Sequence, residues 1–122
     1  MGRVVHFEIT ADDVERAKKF YELFGWELSD ANMPGLPSMQ YLIAKTGKDE
    51  PGTDGAIMSR QFRSEPTIIW ISVDNLDDVV EKVKASGGKV VGDKQTVPGI
   101  GYTIYVTDTE GNTIGLIQQL PR

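Results

Sequence analysis

Two stretches of this chain are written to one plan. Residues 4–28, VVHFEITADDVERAKKFYELFGWEL, and residues 67–91, TIIWISVDNLDDVVEKVKASGGKVV, each open on a β-branched apolar run. Each then turns through acidic residues, Asp12-Asp13 or Asp74-Asn75, and continues as an amphipathic segment that stops at glycine. Adding 62 to the numbering carries Val14 to Leu76, Ala17 to Val79, Tyr21 to Val83 and Gly25 to Gly87. A period of half the chain means two copies of one supersecondary unit, each with an apolar face to bury, and most other topologies fall away.

The helices follow from spacing. In the first copy Val14, Ala17, Phe20, Tyr21 and Phe24 form one apolar stripe, so the aromatics are expected in the core. Asp12, with Glu15 three residues on, reads as a capping box, and Gly25 supplies the left-handed residue that ends the helix. In the second copy Leu76, Val79, Val80 and Val83 make the stripe and Gly87-Gly88 the stop. After each helix come three strand-like segments: Trp26–Ser29, Ser38–Ala44 and Gly55–Arg60, then Lys89–Val91, Gly101–Thr107 and Thr113–Gln118. Turn-rich DANMPGLP, KTGKDEPGTD, VPGIG and DTEGN separate them. VPGIG is expected to be a mobile loop, and DTEGN a structural turn. Each half reads β-α-β-β-β, giving an α+β fold of one domain, with modules at 1–60 and 67–122 joined by residues 61–66.

Composition removes several functions. The 122 residues are enough to bury a core. A net charge of −5 with scattered Lys and Arg argues against binding nucleic acid. No apolar run is long enough to cross a membrane, and no signal-peptide pattern opens the chain. The absence of cysteine excludes disulfides, thiolate metal sites and cysteine nucleophiles, and fits a cytoplasmic protein.

The helix ITADDVERAKKFYELFGWEL and the C-terminal VPGIGYTIYVTDTEGNTIGLIQ, set on two βαβββ repeats, resemble the vicinal oxygen chelate superfamily. That superfamily includes glyoxalase I, bleomycin-resistance proteins and extradiol dioxygenases. The resemblance spans essentially the whole chain. It implies modules whose strands surround a cleft, a small-molecule ligand in that cleft, and a homodimer. In metal-dependent members His, Glu or Gln on the first and last strand of each module hold a divalent ion. Here His6 stands at the first such position, but Ile68, Met58 and Gly115 stand where the others are expected. One ligand in four does not make a metal site, so no metal cofactor is expected.

His6 is the only histidine. It can pack and hydrogen-bond, contact a ligand, or anchor a rebuilt metal site with Glu8, which alternation puts on its face. Glu8 is either an ion-paired buried carboxylate or a partner of His6 in acid–base chemistry. Trp70, on the matching face of the second copy beside Ile68, either stacks on a flat ligand or fills the space. Tyr102 and Gly115 complete the expected cleft lining, with Tyr41 and Tyr105 as further strand aromatics. The reading is metal-independent small-molecule binding of the bleomycin-resistance kind. The alternatives are a lyase, isomerase or dioxygenase acting through His6 and Glu8 or a rebuilt metal site, and a ligand-free module whose cleft is filled by Trp70.

Overall fold

A computed structural model describes residues 2–121. Its element order is β1 (Val4–Ala11), α1 (Val14–Tyr21), β2 (Glu27–Asp30), β3 (Tyr41–Lys45) and β4 (Gly55–Ser59), then β5 (Thr67–Ser72), α2 (Leu76–Ala85), β6 (Lys89–Val97), β7 (Gly101–Thr107) and β8 (Thr113–Gln119). The fold is α+β, two βαβββ modules in succession. By contacts the chain forms two compact units. One is His6–Ile68, and the other joins the residues up to Val5 with those from Ile69 on.

In the His6–Ile68 unit the strand order is β2-β3-β4-β1. β4 runs parallel to β1 and antiparallel to β3, with Glu8 opposite Ala56 and Tyr41 opposite Met58. Alternation sends Ile9 and Ala11 to the helix side, where Ala11, Val14, Leu42 and Ile57 form a buried core with Ala17 and Tyr21 against it. Phe7, also on this side, lies so close to Gly55 that a Cβ there would strike its ring.

The first helix departs from the expected stripe in two ways. Asp13, not Asp12, is the N-cap and accepts from the Arg16 N–H at 3.0 Å. Asp12 instead accepts from Arg60 Nη1 at 3.1 Å. After Tyr21 the helix tightens into a 3-10 turn, Glu22–Phe24, before Gly25 at φ 81°. Phe20 and Phe24 are exposed, not core.

The second unit has the order β5-β8-β7-β6, with β8 parallel to β5 and antiparallel to β7. Its core is Val73, Leu76, Ile104, Val106 and Leu116, with Val79, Val80 and Val83 of α2 packed on it as the spacing required. Asn75 caps α2 by accepting from the Asp78 N–H at 3.1 Å. Gln118 Oε1 adds a bond from the Leu76 N–H at 2.8 Å. β6 runs to Val97, beyond the expected Val91, with a register shift between Val91 and Gln95 around Gly92 at φ 82°. VPGIG is the tight turn of the β6–β7 hairpin, closed by Ile100 N–H to Val97 O at 3.0 Å. DTEGN is the structural turn expected. The Asp108 carboxylate accepts from the N–H groups of Glu110 and Asn112 and from the Asn112 side chain, which holds its pKa below the ordinary value.

Candidate functional site

The side of β1 turned away from α1 carries His6, Glu8 and Thr10. Thr10 is occupied structurally: its hydroxyl donates to Glu65 O at 2.7 Å and accepts from Arg60 Nε at 3.1 Å. His6 and Glu8 meet a third group. The Tyr41 hydroxyl donates to Glu8 Oε2 at 2.7 Å, and the same oxygen lies 3.1 Å from His6 Nε2. β3 brings it there. Tyr41 is opposite Met58 on β4, and β4 is the strand that pairs with β1. Ala56, the residue opposite Glu8, is small and fully buried.

This geometry fixes the protons. A phenol has one, and Glu8 receives it. The Tyr41 oxygen is then the acceptor for His6, so Nε2 carries the N–H and Nδ1 the lone pair. Among the described residues no group bonds Nδ1. Glu8 is 3% exposed, a buried carboxylate that requires donors of this kind. Burial pushes the His6 pKa below its ordinary value of 6.5, partly opposed by the carboxylates of Glu8 and Asp54. The imidazole is therefore neutral near pH 7, with Nδ1 as its acceptor nitrogen.

The sequence marked Tyr41 only as one of three strand aromatics and did not tie it to His6 and Glu8. The available signal was alternation combined with register: Tyr41 shares a sheet face with the residue opposite Met58, and Met58 is opposite Thr10, on the His6–Glu8 side of β1. Register is what a single sequence withholds.

The corresponding face of the second unit is filled. Trp70 is opposite Gly115, and a Cβ at Gly115 would fall on the indole. Tyr105, also opposite Gly115, packs edge-on to Trp70 with ring centroids 4.9 Å apart. Tyr102 is on the other face, packed on the α2 core beneath Lys94 Nζ at 5.2 Å. The expectation that Tyr102 shares the Trp70 face is therefore corrected to Tyr105, because the strand period of two separates them. Ile68 is fully buried.

Register also shows that two of the expected metal-ligand positions, Met58 and Gly115, do not match between the modules. The first-module counterpart of Gly115 is the residue opposite Glu8, which is Ala56 and not Met58. With either Met58 or Ala56 beside His6, Ile68 and Gly115, the expected positions hold a donor set of one imidazole, which does not fit a divalent ion. Among the described residues no group of three or more His, Asp or Glu could hold a metal. An open groove of about 400 Å³ lies on the α1 side of the first unit, floored by Ile9, Ala11 and Ala17 and edged by Phe20, Arg16 and Arg60. No helix among the described residues is long and apolar enough to cross a membrane.

The sequence model of the family described as Glyoxalase/Bleomycin resistance protein/Dioxygenase superfamily matches residues 3–116. A glyoxylase-like domain-containing protein of Didymella fabae is 31% identical over 116 residues, covering 92% of this chain and 90% of that one. The glyoxylase-named protein CFP32 of Mycobacterium bovis is 31% identical over 114 residues, covering 91% of this chain but only 43% of its own length. Among solved structures, methylmalonyl-CoA epimerase from Mycobacterium tuberculosis superposes with a TM-score of 0.68 at 15% identity, over 97% of this chain and 88% of that one. A catechol 2,3-dioxygenase gives 0.64 at 18%, over 97% of this chain and 41% of that one. At such identities the structural likeness concerns the fold.

Proposed function

The chain belongs to the Glyoxalase/Bleomycin resistance protein/Dioxygenase superfamily, and on that premise we propose that it binds a small organic molecule without a metal, on the sheet face that carries His6, Tyr41 and Glu8. The observation that carries this reading is the Tyr41 hydroxyl held between His6 Nε2 and Glu8 Oε2. It presents a neutral imidazole whose Nδ1 accepts, so the ligand offers an O–H or N–H donor there and apolar surface elsewhere. The donor set at the four family metal positions supports metal independence. Ile68, Trp70 and Gly115 remain proposed ligand contacts, with Tyr105 in place of Tyr102. Location in the cytoplasm and a homodimeric state belong to the same proposal.

A second reading rests on the same three groups. A histidine, a phenol and a carboxylate in one hydrogen-bonded line can move a proton from a ligand at Nδ1 through Tyr41 to Glu8, which is what a metal-free lyase or isomerase would need.

The test is a thermal-shift screen of uncharged and anionic small molecules on untagged protein, repeated on His6→Ala and Tyr41→Phe, beside titrations with Ni(II), Zn(II), Fe(II) and Mn(II). Binding proceeds with wild type in chelator and weakens at least tenfold in both variants. Stoichiometric metal binding lost in His6→Ala would replace the metal-free reading. Ligands whose affinity is indifferent to both substitutions would remove this face from the site. Turnover of a bound ligand, lost in Tyr41→Phe, would select the second reading.

A further inference from the structure

A second acceptor stands beside His6. Glu8 is opposite Ala56, and a Cβ on Gly55 would strike Phe7. The pairing of β1 with β4 therefore continues past its last ladder pair and sets Asp54 opposite His6. The strand period of two turns Asp54 to the side of Ala56, which is the side that His6 and Glu8 share. Burial is the largest influence on the His6 pKa and lowers it. The charges of Glu8 and, after it, Asp54 act the other way, so this carboxylate is close enough to be felt at the ring.

The Asp54 carboxylate is held but not used up. Its Oδ1 accepts from the Thr46 N–H at 2.8 Å. The Thr46 hydroxyl lies 3.2 Å from the same oxygen, but its single proton goes to Thr53 O at 2.8 Å. Among the described residues Asp54 has no ion-pair partner, and Lys48 goes to Glu27 at 4.0 Å. Asp54 is exposed and borders a small cavity of about 110 Å³, lined also by Thr46, Lys48 and Glu50. One carboxylate oxygen is thus left as an acceptor, on a residue whose backbone neighbour holds it in place.

We infer that the ligand of this face carries two N–H donors on one carbon, as an amidine, guanidine or urea does, one donating to His6 Nδ1 and the other to the Asp54 carboxylate; this rests on the binding proposed for the His6–Tyr41–Glu8 face. The argument is one of matching. The His6 Nε2–H is spent on Tyr41, so Nδ1 accepts, and an ionised carboxylate only accepts. Two acceptors on neighbouring strands match two donors. A ligand carboxylate sets lone pairs against both and is rejected. A primary amide satisfies one and turns its oxygen on the other. The N–H groups of a planar amidine or urea already point the same way, and a fork of this kind suits a carboxylate. A pair of hydroxyls must first be turned into that arrangement, at a cost in freedom. Asp54 thereby sets specificity, beyond holding the turn between β3 and β4.

The experiment is a ligand-detected NMR titration of the untagged full chain at neutral pH with phenylurea, benzamidine, benzamide and benzoate, which share a ring and differ in the head. Wild type binds phenylurea and benzamidine in preference to benzamide and benzoate. Asp54→Asn keeps an oxygen for the Thr46 N–H but puts an NH2 donor where the second acceptor was. It weakens both two-donor probes roughly tenfold or more. It also gains benzamide, whose N–H goes to Nδ1 and whose oxygen accepts from the introduced amide, a gain that a merely loosened turn would not give. If Asp54→Asn binds the two-donor probes as wild type does while His6→Ala binds neither, the role of Asp54 is overturned and the proposed face stands. Loss of benzamidine alone, with phenylurea unmoved, is a diffuse charge effect and overturns the paired-donor head. So does a wild type that takes benzoate as readily, or that binds neither two-donor probe at millimolar concentration. Two-donor probes that bind wild type and His6→Ala equally overturn both the inference and the face.

Discussion

The two modules share a backbone plan and differ in what they do with the face away from the helix. In the first, β1 and β3 place a histidine, a carboxylate and a phenol there, joined by bonds of 3.1 and 2.7 Å. In the second, the position matching Glu8 is Trp70, seated on Gly115 and against Tyr105. The helix-facing sides are both built on aliphatic clusters, around Leu42 and Ile57 or Val106 and Leu116, to which the first module adds the rings of Phe7, Tyr21 and Trp26. The lesson is that the fold is held from the helix side. The opposite face is left free to take up chemistry in one copy and ring packing in the other.

That contrast can be broken most sharply at Gly115. Gly115→Ala puts a methyl group into the indole of Trp70, and overpacking of this kind costs about 2–3 kcal/mol. Its first-module counterpart is already alanine, and Ala56→Gly costs about 1 kcal/mol through strand entropy and a lost methyl. Urea denaturation of both variants measures the difference. Equal effects would mean that Trp70 does not depend on Gly115 for its seat.

A smaller effect is expected at Tyr41. Tyr41→Phe withdraws a donor from a buried carboxylate and costs about 1–2 kcal/mol. Thr103→Val, at the geometrically matching position of the second module, changes stability by less, since its cross-strand neighbours are the uncharged Gln95 and Ile117. If the two substitutions cost the same in denaturant, the polar network is not specific to the first module.

The smallest effect is in pH. The folded-state pKa of His6 lies below its ordinary 6.5, so as the pH falls the unfolded chain takes up the proton first. The stability attached to neutral His6 is complete above 6.5 and is lost as the pH falls from there through the folded value. Comparing wild type with His6→Gln between pH 7.5 and 5, wild type should lose stability more steeply on acidification. A parallel pair of curves would show that His6 is not held neutral by its surroundings.

How much of this was legible beforehand follows from what each feature depends on. The α2 stripe, the glycine stops and the DTEGN turn are local, and the residues announced them. The α1 stripe failed at Phe20 and Phe24, which are exposed, because nothing in an apolar periodicity distinguishes a core aromatic from an exposed one. Asp12 and Asp13 were equally good caps by composition. The structure has Asp13 as the cap, with Asp12 paired to Arg60, 48 residues away.

By itself the sequence determined the repeat, the α+β class, the His6–Glu8 pairing on one strand face and the poverty of the family metal site. Each rests on spacing along a single element or on which residue types are present. Only the tertiary structure decided that Tyr41 joins His6 to Glu8, that Tyr105 and not Tyr102 meets Trp70, and that Ala56 is the partner position of Gly115. These depend on the register of paired strands, where a shift of one residue turns every side chain to the other face. That register is set by the packing of whole faces rather than by any neighbouring residue.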